Sequence, residues 1–168
     1  MWGLLVIQWF HVLLGIFWFG STLYLDVVVI PAVMTLPLEQ QRAVSRPLTT
    51  FSERVIIPAG LLVIILGLVR GTIFGPVQSW SFLLGTAYGL TFLLASLAAM
   101  ATFAWSRLVL TRAARRLDTF PLADVLHTDE KVARAFAAQV QRVKRFALLE
   151  LFGFFIIFTC MILMRFGV

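Results

Sequence analysis

An all-α integral membrane bundle of four antiparallel spans is the fold this sequence predicts, and three observations carry it. Hydrophobic side chains make up 61% of the 168 residues and charged ones only 13%, about half the charged share that a water-facing surface normally carries. The 14 basic and 8 acidic residues are also bunched. They leave four long apolar stretches, each sufficient for the roughly 20 residues that cross a bilayer core as a helix. Four spans and their connections consume the chain, so residues 1–168 form a single membrane domain with no second core.

The first apolar run, residues 2–34, is interrupted only by Gln8, His11 and Asp26 and predicts a span over about 3–30. It lacks the basic leader and small-residue cleavage site of a signal peptide, and it exceeds the usual apolar segment of about 7 to 15 residues. The second span, about 54–74, follows Glu53 and Arg54, carries Arg70 near its end and stops at Gly71, Gly75 and Pro76. The third, 80–105, contains no charge, and its helical pattern persists through Leu108 and Leu117. The fourth, about 146–165, has Glu150 as its one charge before Arg165. Val132, Phe136, Val140, Val143 and Ala147 recur at helical spacing ahead of it, with Asp129 and Glu130 placed to complement a helix dipole. Spans three and four are thus expected to extend into a charged cytoplasmic hairpin over 106–145.

Orientation follows from the basic residues, because short loops rich in arginine and lysine stay in the cytoplasm. Arg42, Arg46 and Arg54 lie between spans one and two. Arg107, Arg112, Arg115, Arg116, Lys131, Arg134, Arg142, Lys144 and Arg145 lie between spans three and four, leaving only Arg70 and Arg165 on the opposite side. Both termini are therefore expected outside a cell's inner membrane. The net charge of +6 is a topological signal whose partner is an anionic inner leaflet; it is not a nucleic-acid footprint. Cys160 is the single cysteine, which excludes an intrachain disulfide and, in an apolar run, predicts a buried thiol.

Polar and small residues of a membrane helix tend to face protein, since lipid offers them no hydrogen bonds. At 100° per residue, Leu4, Gln8, His11, Gly15, Trp18, Thr22 and Asp26 share an arc of roughly 80°. Gly60, Gly67 and Gly71 in span two, and Gly85, Gly89, Ser96 and Ala99 in span three, predict close helix contacts. Glu150, Phe154, Ile157, Met161 and Met164 share one face of span four.

His11 is the most informative of these, because an imidazole about 10 Å into a bilayer is costly unless it hydrogen-bonds or binds something. It is either a structural histidine bonded to a neighbouring helix or an axial ligand to haem or copper, which neutral imidazole suits. His127 lies in the cytoplasmic connection, so a bis-histidine site within one chain is excluded. Met161 reaches about the depth of His11, and with Met164 it either packs or completes a metal site with His11. Every acidic residue lies in the cytoplasmic half, leaving Arg70 and Arg165 without a protein carboxylate. Their counter-ion is lipid phosphate reached by snorkelling or a haem propionate. Asp26, Glu53 and Glu150 approach Arg54, Arg107 and Arg145, as ion pairs that lock the bundle or as proton-relay groups. No nucleophile triad, phosphate loop or zinc spacing supports a hydrolase or kinase.

The run Trp9-Phe10-His11-Val12-Leu13-Leu14-Gly15-Ile16-Phe17-Trp18-Phe19-Gly20, with Leu23-Tyr24-Leu25-Asp26 and Pro31, resembles the first helix of the copper resistance protein D-like (CopD-like) integral membrane proteins and of the HemJ-type protoporphyrinogen oxidases. The resemblance is concentrated in the first 34 residues and extends more weakly over the stretch from Arg46-Pro47 to Gly71 and the four-span layout. For the oxidase group it implies a b-type haem on the histidine of the first helix, here His11. Those oxidases also use a lysine in a later helix, whereas Lys131 and Lys144 lie outside the spans. The copper group implies metal passage, for which this chain has fewer histidines and methionines.

The expectation is a small membrane haem-binding protein serving electron transfer or haem handling. Its cofactor face is Gln8, His11, Gly15, Trp18 and Arg70, with haem b as cofactor. One rival is copper handling by His11 with Met161 and Met164. Another is a non-catalytic subunit or assembly factor that docks into a homo-oligomer or larger complex through its glycine faces and hairpin.

Overall fold

The computed structural model describes residues 2–120 and 130–167, and for Asp118 and Thr119 the backbone alone. Five α-helices form it: α1 (Trp2–Met34), α2 (Leu38–Thr72), the short α3 (Trp80–Gly85), α4 (Ala87–Arg115) and α5 (Glu130–Arg165). A 3₁₀ turn, Arg116–Thr119, follows α4. There is no strand among the described residues. Helices α1, α2, α4 and α5 are each long and apolar enough to cross a membrane. His127 and Asp129 lie outside the described residues.

The helices are longer than the apolar runs alone indicate. α2 begins at Leu38, right after Pro37, whose extended backbone (φ −55°, ψ 144°) starts a new helix. It carries Pro47 and Pro58 inside it. α5 is a single helix of 36 residues joining the charged segment to the fourth apolar run, as the heptad-like spacing from Val132 to Ala147 requires.

The third apolar run departs from expectation, because 80–105 is not one helix. Thr86 adopts an extended backbone (φ −123°, ψ 149°), and its hydroxyl accepts a hydrogen bond from Gly89 N–H at 3.0 Å, capping a new helix. Ser79 caps α3 in the same way, accepting from Phe82 N–H at 3.1 Å. A Cβ on Gly89 would run into the Phe82 and Leu83 carbonyl oxygens, so the glycine read as a helix-packing residue instead lets α4 fold back on α3. Gly85 meets nothing within 4 Å.

Both α1 and α4 contain one π-helical turn, at Leu25–Val29 and Ser106–Leu110.

Consecutive long helices run antiparallel. Gln8 meets Arg70 and His11 meets Val63 between α1 and α2. Trp105 Nε1–H donates to the Phe146 carbonyl at 3.1 Å, and Gln139 donates to the Ala113 carbonyl at 2.8 Å, between α4 and α5. Gly60 and Gly71 of α2 lie against the rings of Phe103 and Phe92 of α4. Thr102 of α4 seats on Gly153 of α5, a close contact the sequence did not single out.

The centre of the bundle is a cluster of Trp18, Val63 and Phe154, with Phe19, Phe103 and Phe158 packed on it. Trp18 meets Phe154 edge-on at 4.8 Å between ring centroids, and Phe19 meets Phe158 at the same separation. These rings bridge α1 and α5, whose backbones approach less closely than those of the other neighbouring helices. Side chains such as Trp2, Trp9, Phe10, Phe155 and Phe166 point outward and are more than half exposed. An apolar exterior around a small polar-studded interior is the inverse of a soluble fold, and in lipid such a bundle is held by close packing and interhelical hydrogen bonds.

Candidate functional site

Above the aromatic plug, towards the N-terminus of α1 and the C-terminus of α5, the four long helices line a cavity of about 370 Å³. Gln8, His11, Gly15, Trp18, Arg70, Met161 and Met164 all line it. Every residue expected in a cofactor or metal site is thus brought to one place, from three different helices. Trp18 and Phe154 form its floor, and Tyr88, Phe92, Ala95, Ser96 and Ala99 complete the wall from α4.

The mean burial along α1 explains why these side chains meet. Leu4, Gln8, His11, Gly15, Trp18, Thr22 and Asp26 are each less exposed than the flanking Leu5, Trp9, Val12, Ile16, Leu23 and Val27. The polar stripe is therefore the packed face. Gly15 would meet nothing within 4 Å if given a Cβ, so its missing side chain is open space belonging to the cavity.

His11 Nδ1 lies 3.0 Å from the Val63 carbonyl oxygen. A carbonyl only accepts, so Nδ1 carries the proton and Nε2 holds a lone pair with no hydrogen bond from a described residue. The ring rests on Gly67, where a Cβ would stand 2.9 Å from His11 Cε1. This is a second, local reason for glycine in the α2 GxxxG pair. Both alternatives for His11 are consequently present at once: a tie to a neighbouring helix, and a free ring nitrogen beside a cavity.

Arg70 Nε–H donates to Gln8 Oε1 at 3.0 Å, which holds the guanidinium at the cavity and leaves its terminal NH₂ groups for another acceptor. Arg165 also lines the cavity, at its exposed edge. No aspartate or glutamate is among the lining residues, and neither arginine forms an ion pair with a described residue. Arg165, Tyr88 and Ser96 were not assigned to the site from sequence. Arg165 was legible through its missing counter-ion, whereas Tyr88 and Ser96 depend on how α4 is rotated against its neighbours.

Met161 and Met164 are half-buried on the α5 wall. Cys160 is buried away from the cavity. No group of three or more His, Cys, Asp or Glu side chains is placed to hold a metal among the described residues.

The acidic groups at the opposite end behave differently from one another. Glu53 pairs with Arg115 at 2.6 Å and with Arg107 at 3.9 Å, so one of the expected partners, Arg107, is present and the closer one was not foreseen. Arg54 and Arg145 form no ion pair with these carboxylates, because both point outward. Asp26 and Glu150 form no ion pair with a described residue either. Asp26 Oδ2 is buried without a hydrogen-bond partner, and Glu150 is 2% exposed beside Ser106. Compared with family models, curated proteins and solved structures, the chain matches none.

Proposed function

We propose that this chain is a small multi-pass membrane protein that binds a b-type haem, with His11 Nε2 as axial ligand, and serves electron transfer or haem handling. One observation supports this reading above the others: the His11 ring is tied through Nδ1 to the Val63 carbonyl at the wall of a 370 Å³ cavity. Metal-ligating histidines almost always give their other ring N–H to such an acceptor, which fixes the tautomer and orients the ligating nitrogen. Arg70 and Arg165, at the same cavity and without carboxylate partners, suit the propionates; the remaining wall is largely apolar, with Gln8, Tyr88 and Ser96 as polar exceptions, which suits a macrocycle. Met161 or Met164 stands as a candidate second axial ligand. When bound, the haem would supply the one-electron chemistry; the residues hold it, match its charge and exclude water.

The asymmetry of basic residues supports an inner-membrane orientation with both termini outside and the α4–α5 hairpin in the cytoplasm. The cavity then opens near the outer surface.

Absorption spectroscopy of the purified protein titrated with haemin tests the assignment. A Soret band that shifts on binding and is lost in His11→Ala is expected. An unshifted haemin spectrum, or identical spectra for both proteins, overturns it. Copper by elemental analysis without a Soret band would favour His11 with Met161 and Met164 as a copper site instead. Neither metal, with co-purifying partners, would favour the role of a docking subunit.

A further inference from the structure

The cavity wall is closed between α1 and α2, between α2 and α4 and between α4 and α5, where helices touch through glycine or direct hydrogen bonds. Between α1 and α5 it is different. The backbones approach least there, and the rings of Trp18, Phe19, Phe154 and Phe158 bridge the gap at one level. One turn and two turns nearer the α1 N-terminus, the lining residues of that helix include Ile16, 62% exposed, and Val12, 41% exposed. Of all the lining residues only these two and Arg165 of α5 are exposed. All three belong to the two helices of the open seam.

From this we infer that the cavity exchanges its occupant sideways with the bilayer, through a portal between α1 and α5, and that the occupant class is a bilayer-dissolved carboxylate on an apolar body. The inference shares the cavity with the proposed function but does not depend on a metal. A ligand arriving from lipid meets Ile16 and Val12, which are apolar and do not obstruct an acyl or ring body. Arg165 stands at the mouth and Arg70 stands deeper, held by Gln8. A carboxylate can therefore pass from one guanidinium to the other while its apolar part stays in apolar surroundings. With no acidic residue on the wall, nothing competes for the arginines or repels the anion. An arginine–carboxylate contact in a low-dielectric site is far stronger than in water.

The test uses the full chain in phosphatidylcholine vesicles containing a diazirine-bearing palmitate analogue, with labelled positions read by mass spectrometry after a light flash. The expected labels fall on cavity-lining segments of α1 and α5 and are competed by palmitate but not by hexadecanol, which has the same chain without the charge. Arg70→Gln with Arg165→Gln should weaken that competition about tenfold or more, since hydrogen bonds to charged groups contribute roughly 1.5 to 3 kcal/mol. Val12→Phe with Ile16→Phe should abolish labelling of the cavity at short exposure. Leu61→Phe with Ile65→Phe, on the outward face of α2, should leave it unchanged. Labels confined to outward residues, equal competition by the alcohol, or no effect of the phenylalanine pair would each overturn the portal. A His11-dependent Soret band with no cavity labelling would leave the haem reading standing and sink this one, and the reverse result would do the opposite.

Discussion

His11 and Gly67 are in contact across the α1–α2 interface, with the imidazole occupying the space where any other residue at 67 would place its Cβ, 2.9 Å from Cε1. The ring is thereby held flat on α2 while Nδ1 reaches the Val63 carbonyl, one helical turn away. Because a single glycine sets the position of the candidate ligand, it offers a way to disturb the site without touching its chemistry.

Gly67→Ala should push the ring off the Val63 carbonyl. Overpacking of this kind typically costs about 1 to 3 kcal/mol. The expected outcome is a lower thermal midpoint in detergent together with a weakened haemin Soret shift. An alanine variant that keeps the wild-type spectrum would show that the ring position is immaterial to binding.

His11→Ala should abolish haemin coordination with only a small loss of stability. Interhelical polar contacts in membrane proteins average about 0.6 kcal/mol, because the alternative states also find partners. Thermal unfolding and haemin titration on the same sample separate the two effects. A large drop in stability with an unchanged spectrum would make the residue purely structural.

Trp18→Ala should be the most damaging single truncation of the interior. Trp18 is 4% exposed, stacks edge-on against Phe103 and Phe154, and lies against Gly60. Truncating a buried tryptophan typically costs about 3 to 5 kcal/mol. It also removes the floor between the cavity and the buried Asp26 and Glu150, so loss of folded protein in fluorescence-detected size exclusion is the measurement.

Glu53→Gln should matter little. Its partners Arg107 and Arg115 have side chains 38% and 63% exposed against 20% for Glu53 itself, so solvent reaches the pairs from the arginine side, and pairs open to solvent contribute roughly 0 to 1 kcal/mol and weaken with salt. A loss beyond that range, unaffected by ionic strength, would mean that Glu53 supports the hairpin in some way other than by charge.

Orientation is checked with single cysteines in a Cys160→Ser background. A cysteine at Arg142 should react with a membrane-impermeant maleimide only after the cells are opened. One at Trp2 should react in intact cells. The opposite pattern would invert the assignment drawn from the arginines and lysines.

Much of the site was legible because its residues share one helix face. Gln8, His11, Gly15 and Trp18 are separated by three or four positions, and that spacing alone aligns them. The Met161 and Met164 face of α5 was legible on the same grounds. What spacing does not encode is the partner of a side chain. That Arg70 meets Gln8, that His11 meets a backbone carbonyl, and that Arg115 rather than Arg54 reaches Glu53 all depend on how one helix is rotated against another. The break at Thr86 escaped for a related reason: an uncharged apolar run reads as one span, and the competition between a continuing helix and a threonine cap is settled by what packs behind it.

By itself the sequence determined the number of long helices, their apolar exteriors and the inward faces of α1 and α5, because these follow from composition and helical period. Tertiary structure alone decided that a cavity exists, since four inward faces can equally close into solid packing. Here they do not, because Gly15 leaves space unfilled while Trp18, Phe19, Phe154 and Phe158 keep α1 and α5 apart. The opening is a difference between large rings at one level and absent side chains at the next, and only the relative height of the helices turns that difference into a pocket.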